Sequence, residues 1–413
     1  MSEKKLAKVF YADVWGLRSE KYDYLFKNDV KTIKWQKLEP VEPYYFFVPK
    51  DFALLEEYKK FWKVTEIFKE YSSGVQSKRD NLAVNFERNI LRTNFYQFVN
   101  LNLPDEFIKR TFRIDDTYEW ILTQARKSVK KENIDEMIEK YCYHPFDQRW
   151  IYYSDAIIAR PFKRVMKHLL NENIAIATSR KYPGTKNFGA FVVALMGDIH
   201  SVADQTYFFP LYLYLDNSEG QIFDEKTSKQ ERIPNFTPEF LKAIKETLNK
   251  EPSPEEIFYY IYAVHYSSAY RKRYEEFLKI DFPRIPLLTN YKLFKILSNL
   301  GKELVDVHLL RHPALSETEI GFPESGSNIV EKVSYDEKTK RVYINKNQYF
   351  EGVSNQVWQY RIGAYQIMQK YLKDRKARKL SLDEINQYMK VAKALRLTIE
   401  LQEEIDNIYE NLH

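Results

Sequence analysis

The chain has 413 residues, 44% of them apolar and 30% charged, and its 64 Lys and Arg against 58 Asp and Glu give a net charge of +6. That length and apolar content can build a core without disulfides or a structural metal, and no apolar run approaches the roughly 20 residues of a spanning helix, so small stapled scaffolds and membrane-embedded classes are excluded. Met1-Ser2-Glu3-Lys4-Lys5 does not lead into an apolar secretory core and Cys142 is the single cysteine, so the expected compartment is the reducing cytoplasm.

Taken from the N-terminus, the aromatic run Tyr44-Tyr45-Phe46-Phe47-Val48 lies between Pro43 and Pro49 and predicts a strand. The stretch 54–61 is more helical, and 116–129 predicts a helix ending in Arg126-Lys127-Ser128-Val129-Lys130-Lys131. Pro145 and the polar residues after it predict a turn feeding a strand. A short amphipathic helix is predicted over 162–170, with Val165 and Leu169 on one face. Next comes a strand in which Ile174 and Ile176 alternate with Ala175 and Ala177. Pro183-Gly184 sets a turn, and 207–215 reads as an aromatic strand broken at Pro210.

Residues 216–232 are polar and aperiodic, which marks a linker and divides the chain into a mixed α/β region 1–230 and a mainly helical region 231–413. Helix starts are legible in the latter. Thr237-Pro238-Glu239 places a cap before a first-turn proline, and Ser253-Pro254-Glu255-Glu256 and Ser381-Leu382-Asp383-Glu384 are capping boxes. One hairpin interrupts the helices, with 329–335 and 341–345 flanking Asp336-Glu337-Lys338-Thr339. The fold class is therefore α+β: strand-rich and mixed over the first two thirds, mainly helical with one β-hairpin in the last.

Several chemistries are missing from the sequence. Only 11 glycines are present, and none forms the glycine-rich turn through which backbone N–H groups reach phosphates. The string Glu42-Pro43-Tyr44-Tyr45 lacks the amide and second proline of an amino-methyltransferase loop. His308 and His312 have zincin spacing, but Leu309 stands where the general base belongs and Pro313 ends the helix. Asp198 and His200 could form an acid–base pair or simply share a strand face. Asp224-Glu225-Lys226 reads as a solvated loop.

What remains is cationic. Residues 160–186 hold seven cations (Arg160, Lys163, Arg164, Lys167, Arg180, Lys181, Lys186) against Glu172 alone, a local excess equal to the net charge of the chain. Residues 370–379 hold six against Asp374. Such runs are either solvated surface or a phosphate-binding face, and Arg, Asn and Gln tips can also read base edges. The candidate DNA contacts are Arg160, Lys163, Arg164, Arg180, Lys181 and Lys186, with Tyr182 on the same turn. Gln76, Ser77, Lys78 and Arg79 on a glycine-hinged loop, and Arg149, complete the set.

The ordered strings Phe10-Tyr11-Ala12-Asp13-Val14-Trp15-Gly16, Ser73-Gly74-Val75-Gln76-Ser77-Lys78-Arg79-Asp80, Tyr143-His144-Pro145-Phe146-Asp147-Gln148-Arg149, Pro283-Arg284-Ile285-Pro286 and Trp358-Gln359-Tyr360-Arg361-Ile362-Gly363 resemble the C-terminal specificity region of single-polypeptide type I (type ISP) restriction-modification enzymes. His144 departs from that pattern, which often has Arg there. The resemblance implies a module that reads an asymmetric site in double-stranded DNA. It also implies that a nuclease, a helicase-like motor and an adenine methyltransferase precede it as other parts of the enzyme. S-adenosylmethionine, magnesium and ATP would belong to those parts, with no cofactor or catalytic residue in this chain and no membrane partner. A methyltransferase domain or subunit would be the protein partner. The rival readings are a stand-alone DNA-cleaving or DNA-modifying enzyme built on Asp198 or His200, and a scaffold whose helical third docks other subunits.

Overall fold

The computed structural model describes residues 7–42, 44–182, 189–215 and 231–410. Lys186, the Pro183-Gly184 turn, Asp224-Glu225-Lys226 and most of the expected linker lie outside the described residues. The chain forms two compact units, Met1–Glu57 and Tyr58–His413.

In the first unit the strand Val9–Tyr11 pairs antiparallel with Gln36–Leu38, and the helix Arg18–Lys27 between them buries none of its residues. The strand expected over 44–48 does not form. Tyr45 donates its N–H to the Val41 carbonyl at 2.9 Å and takes a φ of 47°, so this stretch turns instead of extending. Aromatic composition favours a strand only where a neighbouring strand exists to pair with.

The second unit contains two four-stranded sheets. In one, the hairpin Ile138–His144 and Asp147–Tyr152 is flanked by Val84–Asn85 and, in parallel, by Met196–Gly197. The predicted turn at Pro145 closes this hairpin, with Phe146 at a φ of 61°. The other sheet is antiparallel in the order Ser72–Ser73, Thr206–Pro210, Ala175–Ser179, Ala190–Val193. Ala175–Ser179 is buried along its whole length, Thr178 and Ser179 included, so neither face of the strand meets solvent. The predicted strand over 207–215 divides at Leu211 into Thr206–Pro210 and Tyr212–Tyr214. The latter pairs with Arg232–Pro234.

The helical part follows its caps. Thr237 starts Pro238–Leu248, Ser253 and Glu256 start Pro254–Tyr266 with a reciprocal box, and Ser381 exchanges bonds of 3.0 and 3.1 Å with Glu384 at the head of Leu382–Glu410. His308, at the end of Tyr291–His308, is buried between the Tyr262 hydroxyl at 2.7 Å and the Thr398 hydroxyl at 3.0 Å. That contact joins three helices. The predicted hairpin is present as Ser334–Asp336 and Arg341–Tyr343, and a third strand, Tyr349–Glu351, extends it. A smaller hairpin, Arg361–Ile362 with Tyr365–Gln366, comes after it.

The division expected near residue 230 falls inside the second unit. Asp147, from the first sheet, accepts from Arg149 at 2.7 Å and from Arg375 at 2.9 Å, and Arg375 also holds Glu384 at 3.0 Å. A buried ion network therefore connects residues on either side of the polar segment. Among the described residues no helix is long and apolar enough to cross a membrane.

Candidate nucleic-acid interface

The Ser72–Ser73 strand runs into the loop 74–81, which is tied down along its length. A Cβ on Gly74 would lie 2.6 Å from the Asp198 carbonyl carbon, so only glycine allows this approach. Val75 then donates to Gly197 O at 2.8 Å and accepts from Ile199 N at 2.9 Å, while Gln76 and Arg160 exchange two backbone bonds of 3.0 Å. Ser77 bonds the Asp80 carboxylate and accepts the Arg79 N–H at 3.0 Å, a local turn ahead of the short helix Asp80–Ala83. Lys78, at a φ of 57°, points outward. Arg79 points inward: its guanidinium donates to Ile157 O at 2.8 Å and lies 4.0 Å from the centre of the Trp120 ring. Burial holds its pKa below the usual arginine value.

Facing this loop is a second one. The helix predicted over 116–129 begins only at Leu122, because the Asp116 carboxylate accepts the Leu122 N–H at 2.6 Å and leaves 113–121 as loop. Thr117 and Trp120 close a tight turn with backbone bonds of 2.8 and 3.2 Å, and the Trp120 indole N–H anchors it to Ala156 O at 2.7 Å. Tyr118 sits at the tip, fully exposed. Together with residues 198–200, the two loops enclose a cleft of about 720 Å3. Lys78, Arg79 and Arg113 are set there against Asp80, Asp115, Glu119 and Asp198, and Lys78 pairs with Glu119 at 3.4 Å. Asp198 is only 5% exposed. Burial lifts its carboxyl to about 7, against the opposing pull of a 2.8 Å bond from the His200 backbone N–H.

A second cleft of about 630 Å3 lies beyond residues 198–202, lined by Arg180, Lys181, Gln205, Tyr207 and Arg361 with Asp204 as its carboxylate. Its far wall is the Arg361–Ile362 hairpin. Gly363, at a φ of 58°, brings that hairpin so close that an added Cβ would lie 1.8 Å from Val202 O. Ala364 donates to Val202 O at 2.9 Å and the Tyr365 hydroxyl to His200 O at 2.6 Å. Arg180 is braced by Asp281 at 2.7 Å, which also holds Lys63 at 2.7 Å. Arg164 pairs with Glu70 at 3.2 Å and donates to Tyr71 O, and the Tyr71 ring lies 6.3 Å from that of Tyr207 on the cleft wall.

The residues singled out from sequence thus divide by exposure. Lys78, Arg160, Lys163, Arg164, Arg180 and Lys181 are exposed, with Lys163 paired to Asp155, and Gln76 is half-buried on the first cleft. Ser77, Arg79 and Tyr182 are buried, the last with its hydroxyl on Thr178 and on Gly189 O at 2.7 Å. Arg149 is enclosed between Asp147, Asp374 and the Tyr143 and Phe86 rings. Within the basic run 370–379, Arg375 is buried on Asp147 and Glu384, and Lys370 pairs with Asp374. Arg361 and Tyr118 are absent from the candidate contacts, because neither lies in a run of cations: Arg361 follows Trp358 and Tyr360, and Tyr118 stands among Asp115, Asp116 and Glu119. Among the described residues no group of three or more His, Cys, Asp and Glu side chains is placed to hold a metal ion.

The family profile described as the Type ISP C-terminal specificity domain matches residues 66–404. No curated protein matches the sequence. Among solved structures, the ATP-dependent Type ISP restriction-modification enzyme LlaBIII bound to DNA superposes with a TM-score of 0.75 at 20% identity, over 96% of this chain and 27% of that one. The cryo-electron microscopy structure of a DrdV–DNA complex gives 0.75 at 20%, over 96% and 43%. A nuclease-deletion mutant of the Type ISP enzyme LlaGI in complex with a DNA substrate mimic gives 0.70 at 19%, over 97% and 33%. This chain therefore spans less than half the length of each of the three, and at these identities the likeness is one of fold. Because the family profile extends over most of the chain, from just before the strand that leads into the glycine-hinged loop to the last turns of the final helix, the chain belongs to the Type ISP C-terminal specificity domain family.

Proposed function

We propose that this chain reads a sequence in double-stranded DNA as the target-recognition module of a restriction-modification enzyme and performs no bond chemistry itself. The observation that carries this reading is the pair of clefts on either side of residues 198–202, one dominated by cations and the other balanced in charge. Phosphate contacts fix register and base contacts carry specificity, and the two demand different surfaces. Arg180, Lys181 and Arg361 of the second cleft, and the exposed Arg160, Lys163 and Arg164, suit phosphates. Gln76, Lys78 and the neighbouring Asn81 suit base edges. Ser77, Arg79, Arg149 and Tyr182 support the loops from within. The DNA named in all three structural neighbours agrees with this reading. Methyl transfer and cleavage, with S-adenosylmethionine, magnesium and ATP, are assigned to a methyltransferase and other parts of a larger enzyme. Asp198 bonds the His200 backbone and not its imidazole, which argues against an acid–base pair.

Selection of bound duplexes from a randomised library, followed by a salt series on the winners, tests the proposal. An enriched asymmetric motif is expected. Arg180→Ala or Lys181→Ala should weaken binding to all sequences and reduce the salt slope by about one. Gln76→Ala should instead lose about 1–3 kcal/mol of discrimination at a single base position. Binding without any enriched motif would overturn the reading.

A further inference from the structure

We propose that Tyr118 is a base-stacking side chain, carried on a rigid finger formed by residues 113–120 and directed at the bases of the duplex that the neighbouring loop reads. The proposal rests on the DNA-reading function above. An isolated exposed aromatic residue means little by itself. Here three further features accompany it. The ring stands at the tip of a turn closed in both directions between Thr117 and Trp120. That turn is clamped from below by the Trp120–Ala156 bond, by the Arg79 guanidinium over the indole, and by Asp116, which holds both the Leu122 N–H and Lys109 at 2.8 Å. Among the described residues the Tyr118 ring has no stacking or hydrogen-bonding partner, so the fold secures the loop and leaves its tip unused.

The charge of the cleft points the same way. With Arg79 turned into the protein and Asp198 buried, two cations, Lys78 and Arg113, face three carboxylates, Asp80, Asp115 and Glu119, in this cleft. A surface of that balance cannot hold a phosphate backbone against its own carboxylates. It can meet the uncharged part of DNA, the base edges and faces: amides donate to and accept from base edges, carboxylates accept from exocyclic amines, and an aromatic tip stacks on an exposed base or wedges a base step. Gln76 and Asn81 on one wall and Tyr118 on the other provide those two kinds of contact across a single cleft. The finger's rigidity matters, because a ring already held in place loses little conformational freedom on stacking.

The test uses the full chain and a duplex carrying the motif enriched in the library selection, with 2-aminopurine placed in turn at its adenine positions. Wild-type protein is expected to change the fluorescence at one step, reporting unstacking. Tyr118→Ala should abolish that change and weaken binding about tenfold with the salt slope intact, while Tyr118→Phe retains both. Wild-type affinity and fluorescence in Tyr118→Ala would overturn the inference and leave the DNA-reading function standing. A Tyr118→Phe variant as weak as Tyr118→Ala would overturn it too, because the hydroxyl and not the ring would then be the contact. If the wild-type chain enriches no motif, the function itself fails and the inference fails with it.

Discussion

Asp147 would be a costly residue to bury on its own. Its burial alone would raise the carboxyl pKa, yet Arg375 and Arg149 hold it below the usual carboxylate value. Arg375→Met leaves the buried Asp147 with Arg149 alone and removes a bond to Glu384, so it should destabilise the chain by about 3 kcal/mol in urea unfolding. Asp198 behaves in the opposite way. Burial lifts it to about 7, whereas the unfolded carboxyl titrates near pH 4 (about 3.9), so the folded chain holds a proton that the unfolded chain has released. Stability on this account falls as pH rises from about 4 to about 7, then stays lower. Asp198→Asn keeps an acceptor for the His200 N–H and removes that slope. The variant should gain stability over wild type between pH 5 and pH 8, by on the order of 3 kcal/mol at most; an unchanged difference at the two pH values would disprove the account.

At the level of elements, local chemistry was the most legible part of the sequence. Each of Thr237, Ser253 and Ser381 satisfies backbone N–H groups that the first turn leaves open, a requirement met within three residues and so visible in a short string. Ser381→Ala should cost about 1 kcal/mol, measurable as a shift in the urea midpoint. The turn at Asp336 and the strand end at Pro210 were legible for the same reason. The run 44–48 was misread because a strand depends on a partner elsewhere in the chain, and alternation or aromaticity cannot supply one. Arg79, Arg149 and Tyr182 stand among the candidate contacts because a count of cations and aromatics along the chain does not register enclosure: Arg149 meets Asp374, 225 residues away. The Arg361–Ile362 hairpin was missed altogether. Its position depends on Gly363, and Gly363→Ala, combining a disfavoured φ with a clash on Val202, should cost well over 1 kcal/mol and loosen the second cleft.

Over the whole molecule, composition suggested a boundary near residue 230 because that stretch is polar, and polarity of a connecting segment says nothing about what its two ends pack against. The Asp147–Arg375 pair and the contacts of the 361–366 hairpin with residues 200–202 unite the two sides. Calorimetry of the chain should accordingly show residues 58–413 melting in one transition; separate transitions for the segments before and after residue 230 would contradict this. The arrangement has a practical corollary for re-engineering. A hybrid joined at the polar segment would take the Asp147 carboxylate from one parent and the Arg375 guanidinium from the other, and would expose any mismatch in that buried ion network. Specificity is better transplanted as the two short loops 74–81 and 113–121, which are held by backbone bonds to Gly197, Ile199 and Arg160 and by the Trp120–Ala156 bond, and which present Lys78 and Tyr118 outward.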